Sequence, residues 1–595
     1  GTDLRAHAGV TCQTCHGIES VSHDGNGSYT LSGTPLALPN LHDKASVAAH
    51  VRRVSRRRLG DQLCVSCHRS FLSTATGNAA HLVGMDDFNA WQSSGFGGNG
   101  AARVDKLRPN TCIGCHMKKE KTVLGDRAAD AQGRVHSHRF LGGHTWLAAM
   151  RGDADALRRN QKFLRGIASI DIAAIRDDTG KRTLLADGAP VAPGRTLTAD
   201  VVVRNLSVGH RFPGGVLDAQ DAWIELTVRD ARGKLVASAG RGHATRPPDD
   251  STHVLSALVA DAGADIRYLR EVNTFAAKII NHTIAPRDAV VARFAFAVPR
   301  GVQQPLRLEA RLLHRTRNLR LQRAACAAHR SRRGRIFARK SKAVRGLAAN
   351  PCATQPITEI AKTSAAIGRG WRTVEQAAKA PRWRRLYEHG MALLHAVQEQ
   401  IGEAEPSLMA AMAALHGRRG GEAAYDRAEV YTALGKLRGR QGRTDDALAN
   451  FDKAEAGAPG HPAIDAARAK ALMQVWRWKQ AVPPLERCSH KVPGNLGVWR
   501  SLAIARGSSG DDAGALGAAK RGLALAPRDA DLLRVQALSL RRLGAPDAIT
   551  EPALEAYATF RSPDHASDIR IACAAKSPAC ARERNPVHIH RMIQK

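Results

Sequence analysis

Three short stretches near the start constrain this chain more than anything after them. They are TCQTCH (Cys12, Cys15, His16), LCVSCH (Cys64, Cys67, His68) and TCIGCH (Cys112, Cys115, His116). Each is C-x-x-C-H, the spacing at which two thiols join covalently to one haem while the next residue turns its imidazole onto the iron. A zinc ribbon would pair two C-x-x-C units around one ion, and a thioredoxin-like redox motif needs a βαβ setting. Neither accounts for a histidine directly after every second cysteine. The motifs therefore predict three covalent haem c sites, with the six cysteines as attachment points and His16, His68 and His116 as proximal ligands.

A six-coordinate iron needs a second axial ligand, and the first 150 residues hold a surplus of histidines. His138 and His144, in VHSHRFLGGHTW, follow the third motif closely, and their Gly pair allows the backbone to approach a flat macrocycle. His7 lies too near Cys12 to face its own haem and is expected to serve a neighbour. His50 and His81 rank lower. His23, beside DGNG, and His42 are expected in surface turns, while Met85 and Met117 read as packing residues.

Farther on, His210 sits in SVGHRFPGG, where Pro213, Gly214 and Gly215 force a tight reversal. It is expected to reach from its own domain to a haem.

Composition bounds the rest. A chain of 595 residues is too long for one core and predicts several domains. Its formal net charge is +35, concentrated in blocks such as VRRVSRRRLG and HRSRRGRIFARKSKAVRG. Such a surface suits nucleic acid, an anionic membrane or an acidic redox partner. No nucleic-acid module is visible, and aromatic residues make up only 4%, which argues against the stacking platforms of single-strand binders, so no nucleic-acid partner is expected. No apolar run is long enough for a membrane helix. GTDLRAHAGV carries no leader pattern, as expected of a secreted chain whose leader has been removed. In that oxidising setting Cys326 with Cys352 and Cys573 with Cys580 are plausible disulfides, leaving Cys488 over.

The pattern changes along the chain. Residues 1–155 are loop-rich and read as the multihaem domain. Residues 156–325 alternate apolar and polar in short runs, including LTADVVVRN, DAWIELTVRD and AVVARFAFAVP, and predict an antiparallel β-sandwich of immunoglobulin-like type. Residues 326–380 are basic and weakly patterned, and read as a connector.

Over 381–565 a 34-residue period appears, marked by Pro459, Pro493 and Pro527 and by Ala447, Ala481 and Ala515. It predicts an α-solenoid of tetratricopeptide repeats that touches mainly its own neighbours and docks a partner protein. Residues 566–595 read as a tail. In it His588 and His590 alternate as on a strand, so they are expected to face opposite ways and not to chelate one ion together, although one could reach a haem.

The chain resembles bacterial multihaem c-type cytochromes in which a haem domain is followed by a β domain and tetratricopeptide repeats. GVTCQTCHG, the CHM of TCIGCHM, SHRFLGGH, GHRFPGG followed by AWIELTVRD, and the repeats carry the likeness. Relatives commonly have a further C-x-x-C-H towards the N-terminus, so the resemblance leaves room for an upstream haem segment.

It implies an electron carrier of the periplasm or cell exterior, docked to redox partner proteins, to other cytochromes or to copies of itself. Two alternatives stand beside that expectation: a subunit of an extracellular cytochrome filament or envelope complex, and a multihaem oxidoreductase with one open-site haem. No catalytic residue is expected on the first reading.

Overall fold

Each C-x-x-C-H motif forms a short helix that ends on its histidine and runs into a β-hairpin. The computed structural model describes the whole chain except residues 1–6, 8, 37, 55–59, 79, 123–128, 372–379, 395–397 and 563–564; parts of the first basic block and of the connector thus lie outside the described residues. The helices are Cys12–His16, Gln62–His68 and Cys112–His116. Their hairpins are Ile18–Val21 with Tyr29–Leu31, Arg69–Leu72 with Leu82–Asp86, and Lys119–Lys121 with Arg134–His136.

Thr111 starts the third helix by accepting from the Gly114 amide, which satisfies a donor that the first turn leaves open. Among the described residues up to 150, the buried apolar side chains are Ile18, Val47, Val65, Phe88, Val104, Trp146 and Ala148. They are scattered, and no hydrophobic cluster consists of this region alone.

Next come two sheets packed around one core. One runs Ile589–Arg591, Ala289–Ala297, Thr196–Asn205, Ala168–Arg176, Arg182–Leu184; the other runs Thr358–Ile367, Leu306–Arg315, Asp221–Arg229, Leu235–Ala239, Ile593–Gln594, with Val254–Leu255 beside Asp221–Arg229. All pairs are antiparallel except Ile589–Arg591 on Ala289–Ala297. Val201, Val203, Ile224, Leu226, Phe294, Phe296, Leu308 and Leu312 fill the space between the sheets. Successive strand residues point to opposite faces, so Val202 and Val291 face outwards. They too are buried, because helix Arg382–Leu393 lays Trp383, Leu386 and Met391 on that face.

A polar clamp fixes the same helix. His389 Nε2 donates to Asp200 Oδ2 at 2.9 Å and Ser407 Oγ donates to His389 Nδ1 at 3.0 Å. This acid–histidine–serine order is sealed from solvent, with Ser407 and His389 0% exposed, so it joins helices to sheet and meets no substrate. Burial opposes charge on Asp200, but His389 and Arg293 hold its carboxyl down to about 2.

The remaining helices come in pairs. Thr444–Gly457, Trp478–Lys491 and Asp512–Leu525 begin 34 residues apart, as do Pro462–Gln474, Leu496–Ser508 and Ala530–Arg542. Ala447, Ala481 and Ala515 are each fully buried where neighbouring helices meet. Gly435 is kept small by its neighbour, since a Cβ there would lie 2.4 Å from the Phe451 ring.

Two expectations need correction and one is extended. The array packs mainly on its own helices, as expected, but it also bonds the N-terminal region: Gly494 N donates to Asn99 Oδ1 at 2.8 Å, Asn495 Nδ2 to Ser93 O at 3.0 Å, and Arg69 Nη1 to Leu525 O at 2.9 Å. Its inter-helix turns grip the haem-motif region. The stretch 326–380 is not merely a connector, because it holds the basic helix Arg332–Arg345 and the strand Thr358–Ile367, which pairs with Leu306–Arg315. The chain end is not a loose tail either. Its last two strands join opposite sheets, and the helices before them pack on the Ala257–Ala260 and Ala277–Asn281 hairpin.

Disulfides join Cys326 to Cys352 and Cys573 to Cys580, while Cys488 is buried among repeat helices and its thiol is pushed up to about 12 by that burial.

Arg103 ties all three parts together, donating to Glu388 Oε2 at 2.7 Å and to Asp288 Oδ1 at 2.6 Å from a buried position. Removing one partner of a buried ion network strands the others, at about 3–5 kcal/mol. Arg103→Met is therefore expected to lower the urea midpoint of the first unfolding transition by that equivalent. An unchanged midpoint would show that the three parts unfold without reference to one another.

Candidate functional site

The three motif helices lie side by side. The Cys64 and Cys112 thiols are within hydrogen-bond reach of each other, and Ile113 N donates to Asp61 Oδ1 at 3.2 Å. The Cys15 thiol is pushed up by burial and by the nearby Cys67, Cys64 and Cys12. None of the six motif cysteines is in a disulfide. Each pair is therefore free for thioether attachment, and the three pairs converge.

The histidines that end the helices are aimed by backbone carbonyls. His16 Nδ1 lies 2.7 Å from Val54 O, and His116 Nδ1 lies 2.6 Å from Leu141 O. A carbonyl only accepts, so each Nδ1 carries the proton and each Nε2 presents a bare lone pair, the form that binds a metal. His68 is held differently. Its Nδ1 stands 3.6 Å from Asp87 Oδ2, and that carboxylate raises its pKa.

Two of these rings face another imidazole. His138 lies opposite His16, and His210 opposite His116, each with ring centroids 6.2 Å apart; the second pair is inclined by only 12°. Two metal–imidazole bonds of about 2 Å, one on each side of an ion, put ring centres roughly 6 Å apart. The spacing suits one metal between two rings and is too wide for direct stacking. His210 Nδ1 also meets a carbonyl, Arg211 O at 2.9 Å, which leaves its Nε2 bare.

The His210 loop is rigidly seated. Asn205 Nδ2 donates to His210 O at 3.0 Å, Arg211 Nε donates to Thr283 Oγ1 at 2.6 Å, and Phe212 exchanges two 2.8 Å backbone bonds with Ile284. Gly214 carries the close approach, for a Cβ there would overlap the His210 ring at 2.2 Å.

Other candidates stand elsewhere. His144 precedes helix Thr145–Met150 without capping it through its side chain, and burial lowers its pKa. His7 is buried against Phe337, with ring centroids 4.6 Å apart. His50 lies on helix Lys44–Val54. His81 is buried between Phe71 and Phe560, with no hydrogen bond to its Nδ1. Among the described residues none of these four has its ring opposite a motif histidine. His42 is exposed, and His23 sits half-buried in its turn: its ring packs on Phe88, and its Nδ1, the part that is buried, makes no hydrogen bond.

Sequence reasoning missed Asp87. Its carboxylate stands 3.6 Å from both His68 and His210 and accepts from Gly215 N at 3.0 Å, so it bridges the second motif to the β-domain loop. Burial raises its pKa, but His210, His68 and the Gly215 amide outweigh that and hold it below the usual carboxylate range. An Asp-Asp pair before a short helix carries no signal of such a role.

No protein-family model and no curated protein matches the chain. Among solved structures, a penta-haem cytochrome c552 from Thermochromatium tepidum is similar over 60% of this chain and 77% of its own, at 13% identity and a TM-score of 0.35. A mutant of MamA is similar over 30% of this chain and 98% of its own, at 20% identity and a TM-score of 0.24. A crystal structure of MamA likewise covers 30% and 98%, at 15% identity and a TM-score of 0.23.

A hydrogen bond to a buried charge contributes about 1.5–3 kcal/mol. Asp87→Ala is therefore expected to speed hydrogen exchange of the Gly215 amide about tenfold or more. An unchanged exchange rate would show that the loop is held by its β-domain contacts alone.

Proposed function

We propose that the chain is an electron-transfer multihaem c-type cytochrome with three covalent haems. The observation that carries this reading is the His116–His210 pair, ring centres 6.2 Å apart, both Nδ1 atoms occupied by carbonyls. Cys12 with Cys15, Cys64 with Cys67 and Cys112 with Cys115 would hold the groups; His16 with His138 and His116 with His210 would ligate two of them. A bound haem supplies a one-electron couple whose potential is set by its axial ligands and surroundings.

The chain's own residues aim the imidazoles, keep each Nε2 unprotonated and hold the three attachment sites close enough for electrons to pass between them. The scarcity of buried apolar side chains before residue 150 supports the same reading, because a folded segment needs some other core.

Partner docking is proposed for the repeat array and for the basic helix Arg332–Arg345, which has no buried residue and suits an acidic redox protein. The two disulfides support a periplasmic or extracellular setting. No helix among the described residues is long and apolar enough to cross a membrane.

Intact mass tests the first part of this reading. The unaltered chain is expected to carry three covalent haems and the Cys64→Ala, Cys67→Ala double variant two; fewer than three in the unaltered chain overturns the reading. His210→Met is expected to raise the midpoint potential of one haem and leave the other two, because a thioether ligand favours the reduced iron. Three unchanged potentials would remove His210 from the ligand set.

A further inference from the structure

Far along the chain from the cysteine motifs, four histidines and a glutamate meet where the C-terminal segment crosses the β-sandwich. One ring nitrogen from each of His253, His588 and His590 lies within 4.8 Å of the other two. His253 and His590 are 3% and 1% exposed. Glu583 approaches from helix Pro578–Glu583, with one carboxylate oxygen 3.1 Å from His282 Nε2 and the other 3.4 Å from His588 Nε2. The expectation that His588 and His590 face opposite ways fails here. Only His590 lies within the strand Ile589–Arg591, and the turn before it swings His588 back until the two ring centres are 4.4 Å apart.

The proton arrangement makes the cluster unusual. His588 Nδ1 meets Asn585 O at 2.8 Å and His590 Nδ1 meets Asp250 O at 3.0 Å. Both Nδ1 atoms therefore carry protons, and both Nε2 atoms are bare. His253 Nδ1 lies 3.1 Å from His590 Nε2, so it must be the donor there, and its own Nε2 is bare as well.

The Nε2 atoms of His253, His282 and His588 are buried without a hydrogen bond. Arg582 answers one oxygen of Glu583 at 3.2 Å. His282 Nε2 faces Glu583 at 3.1 Å with its proton, whereas the His588 lone pair meets the same carboxylate with no donor between them. Buried acceptors with no donor are costly, and a cation relieves them together.

We propose that His253, His588 and His590, with Glu583 as fourth donor, bind one divalent transition-metal ion and thereby rivet the C-terminal segment to the β-sandwich. Imidazoles with one carboxylate select zinc or copper over calcium or magnesium. The 3.1 Å gap between His253 and His590 is near the roughly 3.3 Å edge of a tetrahedron built on bonds of 2.0–2.1 Å. The ion takes the place of the proton between those two rings, and His253 stays neutral by carrying that proton on its Nε2 instead. His282 braces the free side of Glu583. Four protein donors in a buried setting make a closed, structural site.

The test uses the full-length protein, freed of loose metal with a chelator and then loaded separately with Zn²⁺ or Cu²⁺. After desalting, elemental analysis is expected to give one added zinc or copper per chain, counted apart from iron. His588→Ala and Glu583→Gln are expected to weaken binding at least tenfold, and the exposed-site control His42→Ala to leave it unchanged. In the copper arm, nitrogen hyperfine structure in the paramagnetic resonance spectrum is expected and is lost in His588→Ala. A wild-type chain that retains neither zinc nor copper, or retains no more than His588→Ala, overturns the proposal.

Discussion

A segment of about 150 residues with so few buried apolar side chains cannot hold its own shape, and the rest of the molecule is arranged around that shortage. Ile18, Val65, Phe88 and Trp146 are too far apart in the chain to form a core without help from elsewhere. The help comes from three directions: short helices that bring paired thiols together, a β-domain loop that delivers His210, and repeat turns that bond to Ser93 and Asn99. The β-sandwich and the solenoid therefore act as walls for the N-terminal segment, each contributing polar contacts at fixed points.

What was legible in the sequence follows from the range of the forces involved. The motif helices, the strands and the 34-residue repeat are written in local spacing, because covalent chemistry, pleat and helix packing impose short periods. The run VVV in Thr196–Asn205 even signals a strand covered on both faces.

Pairings across long separations are not written that way. His210 stood out through its own turn, but its partner could not be read from spacing, and Asp87 gave no sign at all. Strand Thr358–Ile367 was hidden in a basic stretch because its neighbours in sequence are solvated helices with no bearing on its pairing. The histidines of the chain end misled for a related reason. Strict alternation holds only inside a strand, and His588 lies one residue outside it.

The last residues also bear on how the molecule is made. Arg293 pairs with Ile589, and Ala237 with Gln594, so each sheet keeps an unpaired edge until residues 589–594 arrive. Closure over such a sequence separation is slow, and an open edge invites pairing with another chain in the meantime. Residues 589–594 thus act as a latch on two sheets at once, and a chain cut short before them would leave both edges open together.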